Sequence, residues 1–416
     1  MSSNELKVLI IGKVWPEPAS SAAGSRMMEL IDFFQSEGCE ITFATAASNK
    51  EFSVELSDLG VQSAQIKLNN SSFDEFIREL NPDIVLFDRF MTEEQFGWRV
   101  AEHCPKALRV LDTEDLHCLR QARQQAWKER REFSQSDLFS DTAKREIASL
   151  LRCDLSLMIS EYEMKLLKEV FRIDESLLVH LPFMLDKIEE NTVNNWTPIN
   201  RRNHFISIGN FLHEPNWNAV LYLKEEIWPL IRKQIPKAEL HIYGAYSSQK
   251  VEQLHNPTNG FLVKGRAEDA KEVVGNSRVL LAPLRFGAGL KGKLIEAMQC
   301  GTPSVTTSIG AESMHGDLPW PGFIEDDPNL FAEKAIELYQ DDAKWLEAQE
   351  NGIQIINQRY DKSDLRKHLK EGVSEVLGNL QAYRQHNFMG SILQHHTAAS
   401  TKFMSKWIEE KNRITD

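Results

Sequence analysis

The sequence predicts an α/β protein with two domains, each built on a mainly parallel sheet. Short apolar runs alternate with helical patterns along most of the chain, an order typical of parallel sheets. The 416 residues exceed what one ordinary hydrophobic core accommodates. Residues 191–203 have a turn-forming composition without periodicity, which favours a linker between the two domains.

Composition narrows the class of protein. With 42% hydrophobic and 26% charged residues, the chain has the balance of a globular protein. A formal net charge of −13 argues against a general nucleic-acid binder, which carries a basic surface. The five scattered cysteines form no Cys-x-x-Cys pair and indicate reduced thiols. The first residues lack a basic and apolar signal, and no apolar run approaches about 18 residues. We therefore expect a cytoplasmic protein with at most a peripheral contact with a membrane surface.

The first predicted domain, residues 1–195, begins with a strand, a loop and a helix. Residues 6–11 are an apolar run, residues 13–24 are rich in Pro, Ser, Ala and Gly, and a helical pattern then continues to Gly38. A second strand follows, which makes this start a Rossmann-like half. No Gly-x-Gly-x-x-Gly follows the first strand, so no dinucleotide is expected there.

Polar residues follow two later strands of this domain. Asp88 comes directly after the apolar residues 84–87, and residues 112–117 follow the strand at 108–111. Open α/β sheets present their ligand groups at the carboxyl ends of strands, so both clusters are candidate site segments. The alternatives are a structural role for His117 and helix capping by Asp112 or Asp115.

The second predicted domain, residues 196–389, contains the most informative segment of the chain. A buried strand at 279–282 leads into a loop with three glycines and two lysines, Lys291 and Lys293, and a helical pattern starts near Leu294. Small residues let backbone N–H groups approach a phosphate, and the helix dipole favours its charge. The alternative is a glycine-rich connection with solvated lysines.

The C-terminal region, residues 390–416, is predicted to be a helix. Its apolar stripe consists of Phe403, Met404, Trp407 and Ile408. We expect this stripe to pack on the first domain.

Residues 284–310 resemble the nucleotide-sugar site of GT-B glycosyltransferases, specifically the large family 4-like group (glycosyl transferases group 1). Residues 112–117 are similar to the Asp-Thr-x-Asp-Leu-His segment of bacterial members. The resemblance implies the GT-B fold, in which two Rossmann-like domains face each other across a cleft and a C-terminal helix crosses back to the first domain.

The resemblance also implies the donor site. Glu296 would bind the ribose hydroxyls, and the glycine loop would face the diphosphate and the sugar. The family has a second glutamate where this chain has Ala288, and many members carry an Arg and a Lys soon after the first strand of the second domain, which are absent here. Lys291 is therefore the first candidate to neutralise the leaving diphosphate, without a metal or another cofactor. For Arg266 and Arg285 a solvated surface charge is the alternative. The expected donor contacts are Gly209, Gly244, Arg266, Arg285, Gly287, Ala288, Gly289, Leu290, Lys291, Lys293 and Glu296.

The acceptor is expected on the first domain. Its predicted contacts are Ser21, Gly24, Arg26 and Asp112, and a plain surface loop is the alternative for those near residue 24. His117, Asp115 and Lys291 are the predicted catalytic residues.

The predicted activity is hexosyl transfer from a nucleotide sugar such as a UDP-sugar to a hydroxyl of a glycan, a lipid-linked or a protein acceptor. By resemblance the reaction is retaining and belongs to surface polysaccharide or glycoconjugate synthesis. A UDP-sugar 2-epimerase-like enzyme and a non-catalytic GT-B binding protein are the alternatives. Nucleotide, sugar, acceptor and oligomeric state stay open.

Overall fold

The structure, a computed structural model, describes residues 5–48 and 52–415, with the backbone alone for residues 396–399, 414 and 415. Residues 1–4 and 416, at the two ends of the predicted domains, lie outside the described residues. Two parallel sheets flanked by helices form two Rossmann-like domains, which confirms the predicted fold class.

The first domain contains a seven-stranded parallel sheet in the order β3-β2-β1-β4-β5-β6-β7. Its middle strands are buried on both faces because helices cover both sides of the sheet. Its strands are β1 Lys7–Gly12, β2 Glu40–Thr45, β3 Gln62–Gln65, β4 Ile84–Asp88, β5 Leu108–Asp112, β6 Leu155–Met158 and β7 Leu178–His180. Its helices are α1 Ala22–Ser36, α2 Ser72–Leu80, α3 Phe90–His103, α4 His117–Lys128, α5 Asp141–Arg152 and α6 Glu161–Glu169.

The second domain repeats this plan with a six-stranded sheet in the order β10-β9-β8-β11-β12-β13. The predicted linker holds a short helix, α7 Glu190–Asn194. The strands are β8 Asn203–Ile208, β9 Leu240–Tyr243, β10 Phe261–Gly265, β11 Ser277–Ala282, β12 Ser304–Thr306 and β13 Gly322–Ile324. The helices are α8 Glu214–Tyr222, which continues through a π-helical segment Leu223–Ile227 into α9 Trp228–Gln234, then α10 Gln249–Glu252, α11 Ala270–Gly275, α12 Gly292–Gln299, α13 Ser308–Ala311, α14 Pro328–Gln340 and α15 Asp342–Arg359.

Both sheets reverse their strand order once, between β1 and β4 and between β8 and β11. Loops that follow strands on either side of such a reversal diverge and leave a crevice where ligands bind in open α/β sheets. The glycine loop follows β11, and Gly209 follows β8, so both border the reversal in the second sheet.

The chain returns to the first domain earlier than predicted. Helix α16 (Lys362–Gly378) buries Leu369, Val373 and Val376 in the same core cluster as β1 and β4. The return segment pairs with the outgoing one, because Leu185 N–H donates to the Tyr360 carbonyl at 2.7 Å and Lys362 N–H donates to the Leu185 carbonyl at 2.8 Å. The two segments that connect the domains therefore lie side by side. The C-terminal region that packs on the first domain begins near residue 362 rather than residue 390.

Two further helices, α17 (Leu380–His386) and α18 (Phe388–Thr415), complete the return. Helix α18 crosses α3 and α5 of the first domain. Its inward face is polar: Ser405 Oγ lies 2.9 Å from Asn69 Oδ1, and Glu409 accepts the Ser71 N–H at 2.7 Å. No helix among residues 5–48 and 52–415 is long and apolar enough to cross a bilayer.

The prediction that the apolar stripe of α18 packs on the first domain is wrong. Phe403 is 68% exposed, Met404 58% and Trp407 61%. The helix has its stripe outward because serine, glutamate and lysine side chains make the contacts with the first domain.

A buried ion pair ties α1 to the central sheet. The Arg26 guanidinium donates to Asp112 Oδ1 through Nε at 2.9 Å and through Nη2 at 2.8 Å, with 1% and 0% of the two side chains exposed. Its Nη1 donates to the Leu181 carbonyl at 2.7 Å, just after β7. One arginine therefore connects the first helix, β5 and the segment that leads out of the domain.

We expect Asp112→Asn to lower the free energy of unfolding by about 3–5 kcal/mol, because it leaves the buried Arg26 without its counter-charge. Chemical denaturation followed by circular dichroism measures the change. Asp141→Asn is the control, since Asp141 pairs with Lys144 on the surface and its loss is expected to change stability little. Equal effects of the two substitutions would contradict the assigned role of the Arg26–Asp112 pair.

Candidate active site

A cleft of about 1310 Å³ lies between the two domains. Its walls come mainly from loops that follow strands, as the strand order of both sheets requires. Most predicted site residues line it. They are Ser21, Gly24, Asp115, His117, Gly209, Gly244, Arg266, Gly287, Ala288, Gly289, Leu290, Lys291, Lys293 and Glu296.

Three predicted site residues lie outside this cleft. Arg26 and Asp112 are sequestered in their buried pair, which leaves neither side chain free for an acceptor. The Arg285 guanidinium lies between the rings of Trp127, at 4.7 Å, and Tyr222, at 4.3 Å. Its Nε donates to Asn218 Oδ1 at 2.8 Å. These contacts make Arg285 part of the packing between the domains rather than a donor contact.

The glycine loop runs from the end of β11 to the start of α12, and the first domain packs directly on it. Gly289 has a φ of +63°, which favours glycine. A β-carbon there would lie 2.8 Å from Asp115 Cβ, closer than real side chains approach. Glycine is needed at this position both for the turn and for the close approach of the other domain.

Two side chains of the first domain hold the loop backbone. Glu163 Oε1 accepts the Gly289 N–H at 2.8 Å and the Leu116 N–H at 3.0 Å, so one carboxylate joins loops of both domains. Burial raises the pKa of Glu163 to about 8. Arg123 donates to the Gly287 carbonyl at 2.9 Å and pairs with Glu312 through two hydrogen bonds, at 2.8 and 2.7 Å. Neither Glu163 nor Arg123 was among the predicted residues, because both lie more than a hundred residues from the loop that they contact.

Two lysines place positive charge at the start of α12. Lys291 Nζ donates to the carbonyls of Ala288, at 3.1 Å, and Gly289, at 2.5 Å, so it lies inside the loop. Lys293 lies against Gly209, where a β-carbon would be 2.8 Å from Lys293 Nζ. Among the described residues, Lys293 Nζ makes no hydrogen bond or ion pair. Burial lowers the pKa of each lysine to about 8, since the charged form loses hydration.

Glu296 follows one turn later on the same helix and lines the cleft. Burial raises the pKa of its carboxyl group to about 7, and Lys271 and Lys293 oppose that shift. Within the described part of the chain its carboxylate accepts no hydrogen bond. A half-buried acceptor pair at this position is suited to bind vicinal hydroxyls.

The opposite wall contains the segment that follows β5. His117 begins α4, where Glu146 accepts its backbone N–H at 2.9 Å and that of Cys118 at 3.0 Å, so a carboxylate from α5 caps the helix. His117 Nε2 lies 3.5 Å from Asp115 Oδ1. Burial lowers the pKa of His117 to about 3, which makes the imidazole neutral near pH 7.

Asp115 is ionised in this arrangement. Burial opposes its charge, but Arg120, with which it forms an ion pair, and His117 hold its pKa at about 2. The wall therefore presents a fixed carboxylate beside a neutral imidazole.

Glu114 and Arg89 also line the cleft and were not assigned from the sequence. Glu114 has a φ of +62° and Arg89 a φ of +70°, an uncommon conformation outside glycine that is concentrated at functional sites. Burial and the neighbouring Asp112 raise the pKa of Glu114 to about 8. The sequence feature that could have identified Glu114 and Arg89 is their position in the two polar clusters that follow β5 and β4.

Arg266 lines the cleft, but its guanidinium lies over the ring of Phe52, 4.1 Å from the ring centroid. Phe52 in turn contacts Tyr246 edge to face at 5.8 Å. Ser21 caps α1 by accepting the Gly24 N–H at 3.1 Å, and a β-carbon on Gly24 would collide with the backbone of Glu17. Ser21 and Gly24 therefore shape the loop at the first-domain edge of the cleft.

Known protein structures share this fold. Sucrose-phosphate synthase from Thermosynechococcus elongatus is 15% identical, with a TM-score of 0.67 over 90% of this chain and 100% of that one. Alr3699/HepE of Anabaena, solved in complex with UDP and glucose, is 14% identical, with a TM-score of 0.65 over 89% of this chain and 100% of that one. At this identity the likeness concerns the fold.

Sequence comparison adds two findings. An uncharacterized 44.6 kDa protein in the cps region of Klebsiella pneumoniae is 22% identical over 187 residues, which cover 43% of this chain and 46% of that protein. Residues 202–341 match the model of the family described as glycosyl transferases group 1. The chain therefore has the GT-B fold, and residues 202–341, which include the glycine loop and Glu296, are similar to the glycosyl transferases group 1 family.

Proposed function

We propose that the protein is a glycosyltransferase that moves a hexosyl group from a nucleotide sugar to a hydroxyl acceptor, without a metal cofactor. The observation that carries the proposal is the α12 start, where Lys293 and Glu296 line a cleft between two domains and make no hydrogen bond or ion pair with the described residues. An ammonium group at a helix start suits a diphosphate, and a carboxylate one turn later suits ribose hydroxyls.

The donor would lie along the second domain, with its diphosphate at the glycine loop. Departure of the diphosphate develops negative charge, which the two lysines and the α12 N-terminus would stabilise. Lys291 is pre-positioned by its bonds to the loop carbonyls, whereas Lys293 is free to follow the ligand.

The acceptor would lie on the first domain, along the loop at Ser21 and Gly24 and the wall formed by Asp115 and His117. A neutral imidazole can exchange hydrogen bonds with sugar hydroxyls in either direction, and the Asp115 carboxylate orients it. A retaining course, with the acceptor entering on the face from which the diphosphate leaves, needs no protein nucleophile and suits this wall.

The relative from a cps region favours a role in surface polysaccharide or glycoconjugate synthesis, which we propose to take place in the cytoplasm. The Klebsiella pneumoniae relative belongs to a cps region, and the Anabaena protein was solved with UDP and glucose. We therefore propose UDP-hexose as the donor class and a glycan, lipid-linked or protein hydroxyl as the acceptor.

One observation favours a second candidate, a non-catalytic GT-B binding protein. The Gly289 N–H, which a phosphate oxygen would use, is already donated to Glu163. Ala288 also supplies no carboxylate at the position where the family has glutamate.

Hydrolysis of UDP-, GDP- and dTDP-hexoses distinguishes the candidates. Slow release of nucleoside diphosphate and free hexose from one donor supports the transferase. Formation of the 2-epimeric sugar instead identifies an epimerase, and binding without turnover identifies the non-catalytic protein.

We expect Lys293→Ala and Lys291→Ala each to weaken UDP binding roughly tenfold or more and to leave uridine binding nearly unchanged. Each removes a charge-assisted contact with phosphate, worth about 1.5–3 kcal/mol. Calorimetric titration with both ligands measures the difference. Lys237→Ala is the control, because this exposed lysine lies outside the cleft. Equal losses for UDP and uridine would place the lysines away from the phosphates.

The affinity for uridine should rise with pH through about 7, where the Glu296 carboxyl group ionises. Below that pH the protonated group has lost acceptor capacity for ribose hydroxyls, and above it the carboxylate is fully available. For UDP the affinity should fall again above about pH 8, as Lys291 and Lys293 lose their charge. Titrations across both values, repeated with Glu296→Gln, test this. If the uridine affinity of Glu296→Gln still rises with pH through about 7, Glu296 does not bind the ribose.

His117→Ala should lower turnover roughly 100-fold while UDP affinity changes little, since its contacts are with the sugar and acceptor rather than the nucleotide. Rate and binding are measured on the same preparation. His315→Ala, outside the cleft, is the matched control. Turnover equal to that of the control would leave His117 a structural residue.

A further inference from the structure

Helix α18 carries an outward apolar stripe that the proposed activity does not use. Six of the thirteen exposed large hydrophobic side chains among the described residues belong to this one helix. They are Phe388, Met389, Ile392, Phe403, Met404 and Trp407. Such a concentration on one element marks an interaction surface rather than scattered exposure.

The orientation of the stripe is fixed by the opposite face of the helix. Lys402 pairs with Glu102 at 2.5 Å, Ser405 contacts Asn69, and Glu409 accepts the Ser71 N–H. Gln394 donates to the Arg152 carbonyl at 2.8 Å. These contacts spread over four turns, so the helix cannot roll to bury its apolar side without losing all of them.

Basic residues accompany the stripe. Between residues 401 and 413 the helix has four basic and two acidic residues, in a chain whose net charge is −13; Lys402 pairs inward with Glu102 and Arg413 pairs with Glu410. Lys406 and Lys411 are exposed, and Lys411 Nζ lies 5.3 Å from the Trp407 ring centroid. Their long side chains extend beside the aromatic rings, as at an interface between apolar and charged surroundings.

We propose that the outer face of α18 is a docking surface for an anionic lipid bilayer. An amphipathic helix with Trp and Phe on one side and lysines beside them lies in the plane of the headgroups. The rest of the protein is negatively charged and is repelled by an anionic bilayer. Electrostatics therefore orients the outer face of α18 toward the bilayer. Complementarity of charge selects the bilayer over a second copy of this chain, which carries the same net charge of −13.

Sedimentation of the full chain with phosphatidylglycerol–phosphatidylcholine vesicles tests the proposal, with phosphatidylcholine vesicles as reference. We expect binding to the anionic vesicles that weakens with added salt. Phe403→Ser with Trp407→Ser should reduce it at least tenfold. Lys406→Glu with Lys411→Glu should reduce it at low salt and little at high salt.

Leu346→Ser is the matched control, because Leu346 is 50% exposed on α15 of the second domain and should bind vesicles as the unmodified chain does. The substituted residues are exposed, and far-ultraviolet circular dichroism with the unfolding midpoint verifies the fold. Failure of the unmodified chain to bind anionic vesicles, or equal binding by the Phe403 and Trp407 variant, overturns the proposal. A dimer in light scattering that this variant converts to monomer would assign the stripe to a second copy.

Discussion

The arrangement of the cleft depends on one carboxylate. Glu163 stands at the start of α6 and accepts N–H groups from both domains, one at Leu116 and one at Gly289. Because a single oxygen serves both donors, the loop after β5 and the loop after β11 hold a fixed separation. Arg123 supplies the matching contact with the loop carbonyl at Gly287. The glycine loop of the second domain is therefore held in place by the first domain, and the contact between the domains is part of the candidate site.

Burial sets the charge state on both sides of this contact. On the second domain it brings the pKa of Lys291 and Lys293 down to about 8, and on the first domain it brings that of Glu114 and Glu163 up to about 8. In the proposed reaction a phosphate beside the two lysines would compensate their lost hydration, and its binding would be coupled to proton uptake. The same dry environment would strengthen each contact with the departing diphosphate.

Local signals in the sequence predicted local structure. The strand, loop and helix around Gly289, Lys293 and Glu296 form as predicted and line the cleft, and their donor roles, implied by the family resemblance, stay a prediction. Sequence reasoning failed for contacts that the fold makes between distant residues. Arg26 and Asp112 lie 86 positions apart, so nothing in the sequence showed that each would neutralise the other. Arg285 looked like a free cation until packing placed it between two rings.

Helix α18 shows another limit. Periodicity established that the helix is amphipathic, but it carries no information on which face turns inward. An apolar helix face is buried only when the neighbouring surface offers no polar groups that bind the opposite face of the helix. Here Asn69 and the backbone at Ser71 provide such partners, and the polar face took the inner position.

The early return of the chain at α16 has a consequence for biosynthesis. The second domain is one contiguous segment, from β8 to α15, whereas the core of the first domain needs Leu369, Val373 and Val376 from far downstream. On the ribosome the later domain can close its core while the earlier one still lacks a helix. The first domain can therefore complete its core only after nearly the whole polypeptide has been synthesised. N-terminal domains usually fold first during synthesis, so this order is reversed. During that interval the face of β1 and β4 that α16 will cover stays open, and it is the surface most in need of protection from aggregation while the chain emerges.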